Sequence, residues 1–421
     1  MLDFAQGVAR NRAQGDFAFT SVCTAHPDVL IASLRLAQER DIPMMIEATS
    51  NQVNQFGGYT HMTPDDYIAF VLKLAKDGGV DPERIIFGGD HLGPQAWKSE
   101  APEAAMAKAR EMIAAYVKAG FTKIHLDCSE GCLGEGATVG DDLCAARAAD
   151  LAAVAEAASS NPETLSYIVG TEVPPPGGAR HDDELVHPTD PQDAARTIEI
   201  THEAFKAAGL GHVWPRVRAL VVQPGLEFAP AHVHVFDLEQ PDLLTPVIAD
   251  HPQMSFEAHS TDYQIPEVFI DLARRHFSVM KVGPALTFAY REAIYALSAI
   301  DQWSYEGQSL PQVMERLMLA DTTPWESHYH GDAATQKLMR HFGYADRIRY
   351  YWATPEAVAA TTDLEKRINM TPPARPLLSQ YFDSKVVERA DVLVTQGQSL
   401  SKSLIHAQIE TALSPYLDVI S

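Results

Sequence analysis

Eight short apolar runs constrain this chain more than any other feature, because each leads into a Gly-, Pro- or amide-rich loop and then into a longer helix-patterned stretch. The runs fall at residues 17–23, 42–48, 84–87, 122–126, 165–170, 219–222, 254–256 and 277–282. Helical patterns follow at 27–40, 64–77, 102–119, 141–158, 191–208, 241–249 and 266–276, and a last one begins near residue 289. Thr63-Pro64-Asp65-Asp66 shows the chemistry of one start: a hydroxyl cap, a proline in the first turn and acids against the helix dipole. Strands that alternate with crossover helices are parallel, and eight such units in succession close on themselves. Residues 1–304 therefore predict an α/β fold of the (β/α)8 TIM-barrel type. Residues 305–421 lose the alternation, and runs such as 310–319 and 404–413 read as helices, so a helical C-terminal extension is expected.

Composition narrows the function. Of the 421 residues, 33 are basic and 56 acidic, a net charge of −23. So negative a surface disfavours nucleic acid and anionic membranes as partners, while leaving room for a local basic pocket. Four cysteines are too few for a disulfide framework. Cys128 and Cys132 lack a second pair to complete a zinc cage, so reduced thiols are expected. The start Met1-Leu2-Asp3-Phe4 lacks the basic and apolar regions of a signal peptide, and no apolar run reaches membrane-spanning length. The expectation is a cytoplasmic protein.

In a barrel, the strand C-terminal ends deliver their side chains to one mouth. Here they bring Cys23 and His26, then Glu47 with the amides of Asn51 and Gln52, then Asp90 and His91, then His125 and Asp127. Later strands add Glu172, Gln223, Glu257, His259, Ser260, Thr261 and Lys281. Imidazoles and carboxylates from separate strands point to a divalent metal with open positions, Zn²⁺ being the ion imidazole favours. His91, Glu172 and His259 follow their strands in equivalent positions and form the expected ligand set, with Gln223 or a water as a further member. Asp90 either caps the turn before Gly93-Pro94 or moves protons. Asp127 shares strand parity with His125 and is expected to face the mouth. Lys281 either pairs with an acid such as Glu47 or Glu257, or holds a phosphate or enolate oxygen. The loop from Ser50 to Gly58 has no phosphate-loop spacing and reads as an amide-lined sugar or phosphate loop. His232 and His234 lie in the least regular segment and are expected at the surface.

Several of these strings are long and unusual: IEATSNQVNQFGGYT at 46–60, GGDHLGP at 88–94, KIHLD at 123–127 and GTEVPPPGG at 170–178. VVQPG at 221–225, EAHSTDYQ at 257–264, KVGPALTFAYREA at 281–293 and DRIRYYW at 346–352 complete the set. Together they resemble the GatZ/KbaZ family over nearly the whole chain. That family is named for a tagatose-1,6-bisphosphate aldolase subunit described as non-catalytic, and it includes proteins assigned as 4-epimerases of tagatose 6-phosphate. The resemblance implies a class II aldolase-like barrel, with Asp90 transferring protons and His91 and His259 binding zinc. Glu172 falls where such enzymes have a carboxylate, Ser50-Asn51 resembles their Ser-Asn after the second strand, and Ser260 lies near their phosphate-binding serine. Gln223 replaces an expected histidine, a departure from ordinary bisphosphate aldolases.

The chemistry this implies is inversion at C4 of a ketohexose phosphate. The C4 hydroxyl is β to the C2 ketone, so retro-aldol cleavage of C3–C4 and re-addition exchange the epimers, with Asp90 or Asp127 taking the O4 proton. The expected activity is a metal-dependent interconversion of D-tagatose 6-phosphate and D-fructose 6-phosphate. Two alternatives stay open: a non-catalytic subunit that stabilises a catalytic aldolase partner, and an epimerase of the free sugar. A homo-oligomer is expected in either case.

Overall fold

The computed structural model describes residues 2–171, 178–179 and 186–419. Its strands are β1 (Phe19–Cys23), β2 (Met44–Thr49), β3 (Ile85–Leu92), β4 (Lys123–Leu126), β5 (Ser166–Val169), β6 (Val217–Val221), β7 (Glu227–Phe228), β8 (Val233–His234), β9 (Ser255–Ala258) and β10 (Phe277–Val282). Eight of them close into a parallel barrel in the order β1-β2-β3-β4-β5-β6-β9-β10, with β10 returning to β1. This is the (β/α)8 architecture read from the alternation. The remaining pair, β7 and β8, forms a small antiparallel hairpin carrying His234.

The outer helices are α1 (Phe4–Gln14), α2 (Pro27–Glu39), α3 (Pro64–Asp77), α4 (Pro102–Ala119), α5 (Asp141–Ala158), α6 (Pro191–Ala207), α7 (Pro266–Arg274) and α8 (Pro284–Asp301). The start of α3 has the expected reciprocal cap: Asp66 N–H donates to Thr63 Oγ1 at 3.3 Å, and Thr63 N–H donates to Asp66 Oδ2 at 3.0 Å. Beyond the barrel run α9 (Leu310–Ala320), α10 (Ala333–Phe342), α11 (Pro355–Met370), α12 (Arg375–Leu378), α13 (Ser384–Thr395) and α14 (Leu400–Leu417). The last of these lies along α2 and α8, and its buried Leu404, Ile405 and Ile409 share one apolar cluster with the barrel's outer layer. Among the described residues no helix is long and apolar enough to cross a membrane.

Four elements depart from the sequence pattern. The residues before the first run, which the pattern assigns to no element, form α1, whose Phe4 and Val8 pack with Phe17, Phe19, Met45, Ile168 and Val279 to plug the barrel's N-terminal end. The third strand continues through Gly88-Gly89-Asp90-His91 to Leu92, where the pattern predicts an exit after Phe87. Pairing with β2 and β4 on either side holds it extended, and its register shifts against β4 between Gly89 and Leu92. The expected helix at 241–249 is only a 3-10 turn, Thr245–Ile248. Pro246 would fall inside that helix, where it lacks the amide donor and its ring clashes with the preceding turn. Finally, α8 begins at Pro284 rather than near Ala289, because Asp262 Oδ1, from another loop, accepts from the N–H groups of Gly283 and Ala285 at 3.1 and 2.7 Å.

Candidate active site

Inward positions along the strands stack in layers, and the layer above the apolar plug is charged. Lys123 Nζ lies 2.7 Å from Glu47 Oε1 and 2.7 Å from Glu257 Oε2. Lys281 Nζ lies 2.8 Å from Glu47 Oε2 and 3.4 Å from Glu257 Oε1. Two lysines and two glutamates thus alternate in a closed ring, out of water, with each charge opposed by two of the other sign. Gly88 is required beside it: a Cβ there would stand 2.5 Å from Glu47 Oε1. Lys281 therefore takes its ion-pair reading, and it also contacts Asp90 in the layer above.

That upper layer holds the groups the sequence singled out. The rings of His91, His125 and His259 face one another with centroids 4.9 to 5.2 Å apart. His91 sits at φ 45°, in the left-handed region, which turns its ring into the mouth at the end of β3. Its Nδ1 is 2.7 Å from Asp127 Oδ2, and its Nε2 is 3.7 Å from Asp90 Oδ2. Asp127 is fully engaged, since its other oxygen accepts from Ser129 N–H at 3.1 Å and Ser129 Oγ at 2.6 Å. His125 Nδ1 receives the His91 N–H at 3.1 Å and lies 3.0 Å from Asp90 Oδ1. His259 Nε2 lies 2.9 Å from Glu257 Oε1.

Burial sets the protonation states against these charges. It opposes ionisation of Asp90, yet His91 and Lys281 together hold that carboxyl well below the usual range. Burial likewise opposes ionisation of Asp127, and the His91 hydrogen bond and charge overcome it. Burial and Lys281 push His259 down to about 3, and burial also lowers His125. For His91 burial is outweighed by Asp90 and Asp127, and its pKa rises. The site therefore pairs ionised acids with two imidazoles held neutral, the form a metal needs.

The donor set fits a divalent cation. Ligand atoms of Asp90, His125, Glu257 and His259 all lie within 4.8 Å of one another. His125 Nε2 is buried with no hydrogen-bond partner. The grip of Asp127 on His91 Nδ1 is the arrangement that leaves a histidine's Nε2 free for a metal. Of the ligand set expected from sequence, His259 belongs to this cluster, His91 stands beside it with its ring centroid 4.9 Å from that of His259, and Glu172 lies outside the described residues. His125 and Glu257 join them. Their signal was strand parity: Lys123, His125 and Asp127 alternate on β4, as Glu257 and His259 do on β9, so one inward residue implies the others.

A cavity of about 310 Å³ opens above, lined by Asp90, His91, His259, Ser260 and Lys281 from the barrel and by Asn51 and Gln52 from the loop after β2. Ser50 lies behind that wall, its Oγ accepting from Gln95 Nε2 at 3.4 Å. Gln223 is not on the wall; its Oε1 accepts from the N–H groups of Gly225 and Leu226 at 2.8 and 3.0 Å and so organises the turn after β6. Residues the barrel pattern had no means to place here are Arg347, Arg349 and Tyr350, which line the same cavity from the C-terminal region.

Comparison with known proteins bears on this geometry. The sequence profile of a family described as D-tagatose-1,6-bisphosphate aldolase subunit GatZ/KbaZ-like matches residues 4–421. A D-tagatose 6-phosphate 4-epimerase of Agrobacterium fabrum (strain C58) is 49% identical over 380 residues, 89% of this chain and 89% of that protein. A crystal structure described as a probable tagatose 6 phosphate kinase from Sinorhizobium meliloti 1021 superposes with a TM-score of 0.86 at 40% identity, covering 96% of this chain and 100% of that one.

Proposed function

Because the chain belongs to the GatZ/KbaZ-like family, we propose that it interconverts D-tagatose 6-phosphate and D-fructose 6-phosphate by inverting C4. The similarity to the Agrobacterium epimerase supports the reaction. The observation that carries it in this chain is Asp90, ionised on the cavity wall beside three converging imidazoles.

Asp90, rather than Asp127, is assigned the O4 proton. Both oxygens of Asp127 are spent on His91 and Ser129, and it is absent from the cavity wall. Asp90 Oδ1 contacts Lys281 and His125, and Oδ2 is left facing the cavity side of His91. As Asp90 accepts the O4 proton, the C3–C4 bond breaks, O4 becomes an aldehyde oxygen, and the electron pair stays with the C1–C3 fragment as an enediolate. The aldehyde presents its other face, C3–C4 re-forms, and Asp90 returns the proton. Lys281 stabilises the Asp90 carboxylate, and the Lys123–Glu47–Lys281–Glu257 ring holds Lys281 in place. His125 and His259 with Glu257, and His91 beside them, would hold a divalent cation, zinc being the ion these ligands favour, and when bound it would supply Lewis acidity toward the ketose oxygens. Asn51, Gln52 and Ser260 would contact sugar hydroxyls. Unpaired Cys23, Cys128, Cys132 and Cys144 suit a reducing, cytoplasmic setting.

Incubating the purified protein with D-tagatose 6-phosphate, without any nucleotide, and identifying the product by NMR tests the reading. Fructose 6-phosphate is expected, which also separates this activity from the kinase named for the Sinorhizobium protein. Asp90→Asn should lower kcat by about 10²-fold or more with the fold retained. Full activity in that variant, or no turnover by wild-type protein supplied with zinc, overturns the proposal. The second outcome would favour the aldolase-subunit role the family's description carries, which a pull-down with a catalytic aldolase would then show.

A further inference from the structure

Two arginines stand side by side on the cavity wall. Arg347 and Arg349 belong to the turn Arg347–Tyr351, and both guanidinium groups lie over the Tyr350 ring, 5.0 and 4.5 Å from its centroid. Their hydrogen bonds go to backbone oxygens and to one phenol. Arg347 Nε donates to Pro324 O, Arg349 Nη1 to Ala345 O and to Asp346 O at 3.1 Å, and Arg349 Nη2 to the Tyr350 hydroxyl at 3.0 Å. Among the described residues neither forms an ion pair, whereas nearby Arg291 is matched by Asp346 at 2.8 Å. In a chain of net charge −23, two guanidinium groups on one cavity wall, neither in a salt bridge with a described residue, stand out. Paired guanidinium forks are also the geometry that recognises phosphate oxygens.

The turn is rigidly placed. Asp346 is buried at φ 42°, with Oδ1 accepting from Arg291 Nε at 2.8 Å and Oδ2 from Thr287 Oγ1 at 2.7 Å. Both partners lie on α8, the helix that directly follows β10 and its Lys281. Asp346 is thus a positioning residue, fixing the arginines relative to the floor of the site.

We infer that Arg347 and Arg349 grip the substrate's 6-phosphate and keep the cleaved half of the sugar captive while it turns. This rests on the retro-aldol reading above. When C3–C4 breaks, its electron pair remains on C3, the O4 proton passes to Asp90, and the C4–C6 piece becomes an aldehyde with no covalent tie to protein or enediolate. The phosphate is on that piece. Holding it at the phosphate leaves the aldehyde carbon free to present either face, so epimerisation outruns escape.

The test compares wild type with Arg347→Met, Arg349→Met and Arg349→Lys, all checked for an unchanged unfolding midpoint. Each Met variant is expected to lower the ratio of kcat/KM for D-tagatose 6-phosphate to that for free D-tagatose by about 10- to 100-fold. It should also raise triose phosphate released per epimer formed, measured with a coupled dehydrogenase trap. Arg349→Lys should recover part of both effects. Equal losses on the two sugars with no triose release overturn the inference. Calorimetric titration with inorganic phosphate separates it from the reaction itself: binding by wild type that the Met variants lose upholds the anion grip even if no epimer forms. No phosphate binding by wild type sinks the grip while leaving the epimerase reading standing.

Discussion

Lys123 has no contact with solvent, and its stability rests on Glu47 and Glu257, each 2.7 Å away. Replacing it with methionine keeps the volume but leaves two buried glutamates sharing Lys281 alone. Lys123→Met is expected to cost about 3–5 kcal/mol in urea unfolding, the usual penalty for stranding a buried charge. On the reaction proposed above, Asp127 acts one step from the chemistry, through its 2.7 Å contact with His91. Without its carboxylate the His91 ring loses its fixed tautomer, so Asp127→Asn should weaken metal binding about 10- to 100-fold, read by competition with a chromogenic chelator. Residue identity at these positions was partly legible from alternation along β4 and β9. Which acid is free was not, because Asp90 and Asp127 each follow a strand in the same way and differ only in the neighbours that occupy their oxygens.

At the scale of elements, local patterning placed α3 and α4 well, since the Thr63–Asp66 cap of α3 and the Pro102 start and Gly120 stop of α4 lie within their own sequence. It misplaced the start of α8, whose cap is Asp262 from another loop, and it ended β3 early, because glycines at 88 and 89 look like a break until β2 and β4 flank them. The seam between α2 and α14 carries a pH dependence. Asp28 accepts from Lys402 at 2.8 Å and contacts His406 at 3.1 Å, while His26, at the start of α2, lies against Tyr290 with ring centroids 4.0 Å apart. Burial pushes His26 from its ordinary 6.5 down to about 4. Below pH 6.5 the unfolded chain therefore takes up a proton that the folded chain refuses, so His26's contribution is complete above that pH and is lost as pH falls toward 4. The thermal midpoint should drop across this window, and His26→Phe should drop less.

At the scale of the whole molecule, the site is a joint product of barrel and C-terminal region. The barrel supplies imidazoles and acids, and the segment around Arg347 supplies the cavity's other wall. If the three histidines hold a metal, chelation should abolish activity, zinc should restore it, and the unfolding midpoint should rise with added ion in proportion to the logarithm of its concentration. An unchanged midpoint across a thousand-fold range of zinc would count against the metal site. The sequence by itself determined the eight-fold alternation, and so the parallel barrel and the mouth at which Asp90, His91 and His259 meet, because hydrophobic period and turn chemistry are local quantities. Only the tertiary structure decided that Lys281 belongs to a buried charge ring, that Asp127 is occupied, and that two arginines more than fifty residues beyond the last strand face the same cavity. Those outcomes depend on distances between groups remote in the chain, which no periodicity records.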